Sequence, residues 1–120
     1  MNSEIRTTAR FRREAKRLHK KFPSFKSDLQ NLLQELTENP RKGTPLGKNF
    51  FKIRLQIKSK GQGKSGGARV ISFLEITFTK DTSGLSVVYL ATIYDKSETS
   101  TVSDKALKQL LAEIREEFLF

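Results

Sequence analysis

The stretch from Lys52 to Phe73, KIRLQIKSKGQGKSGGARVISF, restricts the fold more than any other part of the chain. Phe51, Ile53, Leu55 and Ile57 alternate with Lys52, Arg54, Gln56 and Lys58. A period of two marks a strand with one face buried and the other in water. The glycine-rich loop SKGQGKSGG follows, and Arg69 lies at the start of a second strand. Two strands joined this closely are antiparallel neighbours. Between Glu38 and Glu75 there is no acidic residue, yet the interval holds Arg41, Lys42, Lys48, Lys52, Arg54, Lys58, Lys60, Lys64 and Arg69. These cations supply nearly all of a formal net charge of +10. Without acidic neighbours in the sequence they repel one another. A polyanion whose backbone can approach a loop bare of side chains would relieve that repulsion.

The rest of the chain supplies the other layers. Residues Glu4 to Arg10 suggest a short edge strand, and Thr7 or Thr8 can cap the helix that follows. Phe11, Ala15, Leu18 and Phe22 form the apolar stripe of that helix, opposite Arg12, Arg13, Lys16, Arg17, Lys20 and Lys21. Pro23 ends it, and Ser24 can cap a second helix with Phe25, Leu29, Leu32, Leu33 and Leu36 on its buried side. Asn39-Pro40 stops the second helix, because the residue before a proline is disfavoured in helical geometry. The segment RKGTPLGKN reads as a polar loop. Strands are expected over Phe50 to Lys58, Ala68 to about Thr79, and Leu85 to Tyr94, with a turn at Asp81-Thr82-Ser83-Gly84. A last helix is expected from about Val102 to Glu117, with Val102, Ala106, Leu110, Ile114 and Phe118 on one side.

The expected order is (β)ααβββα, an α+β fold occupying residues 1–120 as one domain. The helical hairpin and the C-terminal helix would pack on a small twisted antiparallel sheet of three to four strands. The face carrying Lys52, Arg54 and Lys58 would be open to solvent.

Several chemistries are disfavoured. A phosphate-binding P-loop needs glycine where this chain has Lys58, and it opens a helix rather than a strand. His19 is the only histidine, cysteine is absent, and no carboxylates have ligand spacing, so no metal or other cofactor is expected. A Ser-His-Asp triad has no local signature. The N-terminus lacks an apolar signal region and no apolar run would span a bilayer, so a cytoplasmic protein without a membrane partner is expected. If strand registers match, Arg54, Lys58, Arg69, Tyr94 and Lys96 converge on the open face. Cations interleaved with an aromatic ring suit single-stranded RNA, whose bases stack while its phosphates meet charge.

The segments Gly61-Gln62-Gly63-Lys64-Ser65-Gly66-Gly67-Ala68-Arg69 and Thr92-Ile93-Tyr94-Asp95-Lys96-Ser97-Glu98 resemble the HigB-type branch of the RelE/ParE toxin superfamily. The resemblance is best over residues 50 to 115; the helical hairpin agrees in layout more than in sequence. It implies a RelE-like fold and the toxin of a type II toxin–antitoxin pair. Such a toxin is an mRNA interferase that enters the ribosome and cuts mRNA without metal, the RNA 2′-hydroxyl attacking the adjacent phosphate. By the same resemblance Arg54 and Arg69 would stabilise transition-state charge. Lys58 or Lys52 would be the base. Tyr94 would orient or stack the nucleotide, and Lys96 would add a cation or the acid. Lys52, Lys60 and Lys64 would bind RNA backbone. A cognate antitoxin of helix-turn-helix type is the implied partner, with DNA contacted only through it. The sequence departs from the family at Ser72 and Phe73, where many members have tyrosine, and at Thr101-Val102-Ser103, where some relatives have another. Two alternatives stand beside the ribonuclease: a ParE-like toxin that poisons DNA gyrase, and a non-enzymatic RNA-binding module.

Overall fold

The computed structural model describes residues 3–60, 67–78, 84–98 and 101–118. Its elements in chain order are β1 (Ser3–Thr7), α1 (Ala9–Lys21), α2 (Phe25–Glu38), β2 (Thr44–Gly47), β3 (Phe50–Leu55), a 3₁₀ turn (Lys58–Lys60), β4 (Ala68–Phe78), β5 (Gly84–Asp95) and α3 (Asp104–Phe118). The fold is α+β, with three helices and one five-stranded sheet ordered β1-β5-β4-β3-β2. Among the described residues no helix is long and apolar enough to cross a membrane. The loop at 61–66, which includes Lys64, and most of the turn expected at Asp81 to Gly84 lie outside the described residues, as do Leu119 and Phe120.

Two features of the sheet correct the sequence expectation of an antiparallel sheet of three to four strands. First, the sheet is mixed: β1 runs parallel to β5, with Ile5 beside Val88 and Thr7 beside Leu90. A parallel pair needs a long crossover, and here α1, α2 and three strands intervene, so sequence proximity gave no hint of it. Second, β2 emerges from the segment expected to be a polar loop and pairs with β3, Thr44 opposite Lys52. Pro45 hid it, since proline is tolerated only at the edge of a sheet, which is where β2 lies. The bend into β3 uses left-handed backbone at Gly47, Lys48 and Asn49 (φ 90°, 54° and 67°).

Strand alternation sorts the core into two layers. On one face Phe51, Ile53, Leu55, Val70, Leu74, Val88, Leu90 and Ile93 bury against Phe11 and Leu18 of α1 and Phe25, Leu32 and Leu36 of α2. On the other face Phe50, Ile71, Phe73, Val87, Tyr89 and Ala91 pack against Leu107, Leu110 and Ile114 of α3. This second layer revises the open face. One half of it is roofed by α3, and the half carrying Lys52 and Arg54, with the buried Arg69 beside them, is not.

A bulge in β5 determines which side chains reach the uncovered half. Ile71 pairs with Thr92 but Ser72 pairs with Leu90, so Ala91 is an extra residue opposite none of its own in β4. Each bulge shifts the alternation by one. Leu90 and Ile93 therefore share the hairpin side, while Ala91, Thr92 and Tyr94 turn to the other. Thr8 satisfies the bulge backbone. Its N–H donates to the Leu90 carbonyl at 3.2 Å, and its hydroxyl donates to the carbonyls of Leu90 (3.1 Å) and Ala91 (3.0 Å). The same Oγ1 accepts the Phe11 N–H at 3.1 Å, capping α1.

Candidate functional site

Two residue rows cross the uncovered half of the sheet. Thr44, Lys52, Ile71 and Thr92 lie side by side on β2, β3, β4 and β5, and Arg54, Arg69 and Tyr94 form the adjacent row. Lys96 follows just beyond the end of β5. Thr44, Lys52, Arg54, Arg69 and Lys96 line a hollow of about 400 Å³ that no carboxylate borders among the described residues. Thr44 was not foreseen, because the strand that carries it was not.

Arg54 and Arg69 are direct cross-strand partners. Like charges placed directly opposite one another are destabilising, by roughly 0.2–1 kcal/mol. Arg69 is also 5% exposed, and its Nη1 donates to the Ala68 carbonyl at 3.0 Å. Burial, followed by the neighbouring Arg54 charge, pushes the pKa of Arg69 below the ordinary arginine value, with Tyr94 opposing. Two guanidiniums held side by side concentrate positive potential on this part of the sheet.

Tyr94 stands at the inner end of this row. Its hydroxyl is buried and has no hydrogen-bond partner among the described residues. Burial pushes its pKa up and the Arg69 charge pulls it back, with a net rise. Tyr94 is thus a neutral phenol at pH 7, with a donor and an acceptor unused, beside the buried guanidinium.

The structure brings together Lys52, Arg54, Arg69 and Lys96, with Tyr94 adjoining; Lys60 lies apart from them, and Lys58 shares a hollow with Arg54 but not with Lys52, Arg69 or Lys96. Lys58 belongs to the 3₁₀ turn, where strand alternation has stopped. Its N–H donates to Asp28 Oδ2 at 3.0 Å, and the residue borders a different hollow beneath α2. The expected convergence of Lys58 is therefore corrected in part: it meets Arg54 at that hollow but not Arg69, Tyr94 or Lys96. Lys60 is held on the hairpin side, where its Nζ donates to Asp95 Oδ1 at 2.8 Å and lies 5.3 Å from the Phe22 ring centroid. Asp95 is buried, which by itself raises its pKa. Hydrogen bonds from Lys60 and from the backbone and hydroxyl of Ser97 outweigh burial and leave it below the usual carboxylate range. Lys60 is thus neutralised inside the protein, contrary to its expected part in gripping RNA backbone. Lys42 likewise meets Glu35 at 2.8 Å. The interval without acidic residues in sequence does find acids in space, but those acids lie away from the four-cation hollow.

Several first-helix cations are also engaged. Arg10 makes a bidentate pair with Glu113 of α3, both bonds at 2.7 Å, and Arg12 meets Glu117 at 3.2 Å. Arg17 reaches Glu98 at 2.6 Å. These pairs tether α1 to α3 and to the segment after β5. Among the described residues no cluster of His, Asp or Glu is arranged to hold a metal ion. The sequence matches no model of a known protein family.

Proposed function

We propose that the chain is a ribosome-dependent mRNA endoribonuclease with a RelE-like fold, the toxin of a type II toxin–antitoxin pair. The observation that carries this reading is the hollow in which Arg54, Arg69, Lys52 and Lys96 gather with no carboxylate among its described lining. Its volume of about 400 Å³ and its charge suit one phosphodiester with its flanking sugars. The resemblance of the 61–69 and 92–98 segments to HigB-type toxins supplies the reaction class.

In that reaction the 2′-oxygen bonds to the adjacent phosphorus and the bond to the 5′-oxygen breaks. The products are a 2′,3′-cyclic phosphate and a 5′-hydroxyl. One proton leaves the 2′-oxygen and one is delivered to the 5′-oxygen. Negative charge builds on the non-bridging oxygens, where Arg54 and Arg69 offer a preorganised pair of guanidiniums. Lys52 on β3 and Lys96 beyond β5 flank β4 from opposite sides. An in-line displacement needs its base and acid in such a placement, one near the entering oxygen and one near the leaving oxygen. Tyr94, next to Arg69 in the same row, supports the guanidinium from behind the hollow.

The test is purified protein added to translating ribosomes, with transcript 5′ ends mapped. Wild type should cut mRNA and arrest growth when expressed. Arg69→Ala should slow cleavage by roughly 10²–10³, as for loss of one preorganised donor to a developing oxyanion. A transcript that stays intact on ribosomes would defeat the proposal. A DNA-damage response without transcript loss would favour gyrase poisoning instead.

A further inference from the structure

A second hollow adjoins the first. The edge strand β2 covers β3 only as far as Lys52, whose partner is Thr44. Past that point, Arg54, Gln56 and Lys58 face Asp28, Asn31 and Glu35 of α2 across a space of about 270 Å³. Arg54 borders both hollows, so its guanidinium stands between them.

The two hollows differ in chemistry. The first has only cations and a threonine on its described lining. The second mixes two carboxylates and two amides with Lys42, Arg54 and Lys58, so its lining offers hydrogen-bond acceptors that the first lacks. Glu35 is engaged by Lys42 at 2.8 Å, both at the border of this hollow. Asp28 is only 4% exposed; its Oδ2 accepts the Lys58 N–H at 3.0 Å and the Ser24 hydroxyl at 2.7 Å. Its Oδ1 accepts nothing among the described residues. The amides of Asn31 and Gln56 are likewise without hydrogen bonds among the described residues. A carboxylate oxygen with spare acceptor capacity on a largely buried residue, beside two exposed amides, is a set of groups for reading a neutral planar ring that carries N–H donors. The space is close to the lower end of the range for small-molecule sites (roughly 300–1,000 Å³), enough for one base rather than a whole nucleotide.

We propose that this hollow under α2 is a base subsite. It takes the nucleobase next to the phosphate held by Arg54 and Arg69, and it prefers a base with an exocyclic amino group (cytosine, adenine or guanine) over uracil. An exocyclic amine gives Asp28 a donor, whereas the two carbonyl oxygens of uracil flank its single N–H and oppose the carboxylate. Asn31 and Gln56 complete the recognition by donating and accepting along the same edge. This inference rests on the RNA-cleaving reading above.

The test is cleavage on ribosomes of a transcript library with a randomised codon, comparing wild type, Arg69→Ala and the double variant Asn31→Ala/Gln56→Ala. Both substituted residues of the double variant are exposed, so its folding should be retained. At one position wild type should favour an amino-bearing base over uracil by roughly 5- to 100-fold, the discrimination a good side-chain-to-base pair provides. In the double variant that ratio should fall several-fold, by the part the two amides supply, while Asp28 keeps the remainder. Cleavage that depends on Arg69 but shows the same base profile in wild type and double variant would overturn the subsite and leave the ribonuclease reading standing. No cleavage by wild type on any codon would overturn both.

Discussion

Thr8 joins the first helix to the bulge that orients the candidate site, so its replacement tests the physical account of the fold at one atom. The residue is 2% exposed. Its hydroxyl accepts the Phe11 N–H and donates to the carbonyls of Leu90 and Ala91, while its backbone N–H separately serves Leu90. In Thr8→Ala the α1 N-cap is lost, at a cost of about 1 kcal/mol. Leu90 keeps its backbone donor, but Ala91 loses the Thr8 hydroxyl. A buried carbonyl deprived of its donor costs about 1–3 kcal/mol. The sum is about 2–4 kcal/mol, a large part of the stability of a chain this size. Thr8→Ser keeps the hydroxyl and should lose under about 1 kcal/mol. Urea unfolding at pH 7, with midpoints compared at a common slope, measures both. Equal loss in the two variants, or less than about 0.5 kcal/mol in the alanine variant, would refute the assignment of the hydroxyl as cap and bulge donor. The alanine variant should also weaken RNA cleavage beyond its effect on folded fraction, since the bulge turns Tyr94 toward Arg69.

Three further outcomes follow from particular contacts. Glu113→Gln should cost about 1 kcal/mol at pH 7. The Arg10 hydrogen bond is the main cause holding the carboxyl at about 2 against an ordinary 4.5, and Arg10 is 41% exposed, so solvent screening reduces the full shift. Because the folded pKa is depressed, this contribution is complete above pH 4.5 and fades as the pH falls through about 2. A wild-type advantage in urea that persists unchanged at pH 2 would contradict the pairing. Lys60→Met should destabilise by about 1–3 kcal/mol, because the buried Asp95 carboxylate loses its 2.8 Å partner and keeps only Ser97 and the more distant Lys21 at 4.0 Å. The salt dependence of RNA binding should stay as in wild type, whereas Lys52→Ala should lower that slope by about one. Gly67→Ala should unfold the β3–β4 junction, since an added Cβ would lie 2.1 Å from the Leu55 carbonyl oxygen. Wild-type circular dichroism and melting of that variant would show that the backbone approach is looser than described.

How far the sequence carries can be followed residue by residue. Alternation at Phe51 to Ile57 marks β3 and its buried side, because side-chain direction in a strand is a local property. The stripe of Phe11 and Leu18 and the stripe of Phe25, Leu32 and Leu36 likewise mark α1 and α2, whose spacing alone defines a face. Arg54, Arg69 and Tyr94 could be placed in one row from alternation and short connections, since neighbouring antiparallel strands leave few registers. Other parts depend on partners distant in the chain. The parallel docking of β1 against β5 joins residues more than eighty positions apart. The roof formed by α3 divides a face that alternation leaves whole. Lys60 looked free because its acid, Asp95, lies thirty-five positions away. Lys58 looked aligned because nothing local announces that the strand ends at Leu55.

The sequence by itself determined the α+β class, the two helical stripes and a basic strand face next to a glycine-rich loop. Only the tertiary structure decided which cations stay available and which are neutralised internally. Local patterning fixes where a side chain points along its own element. Charge neutralisation and burial depend on what the rest of the chain brings to within a few ångströms.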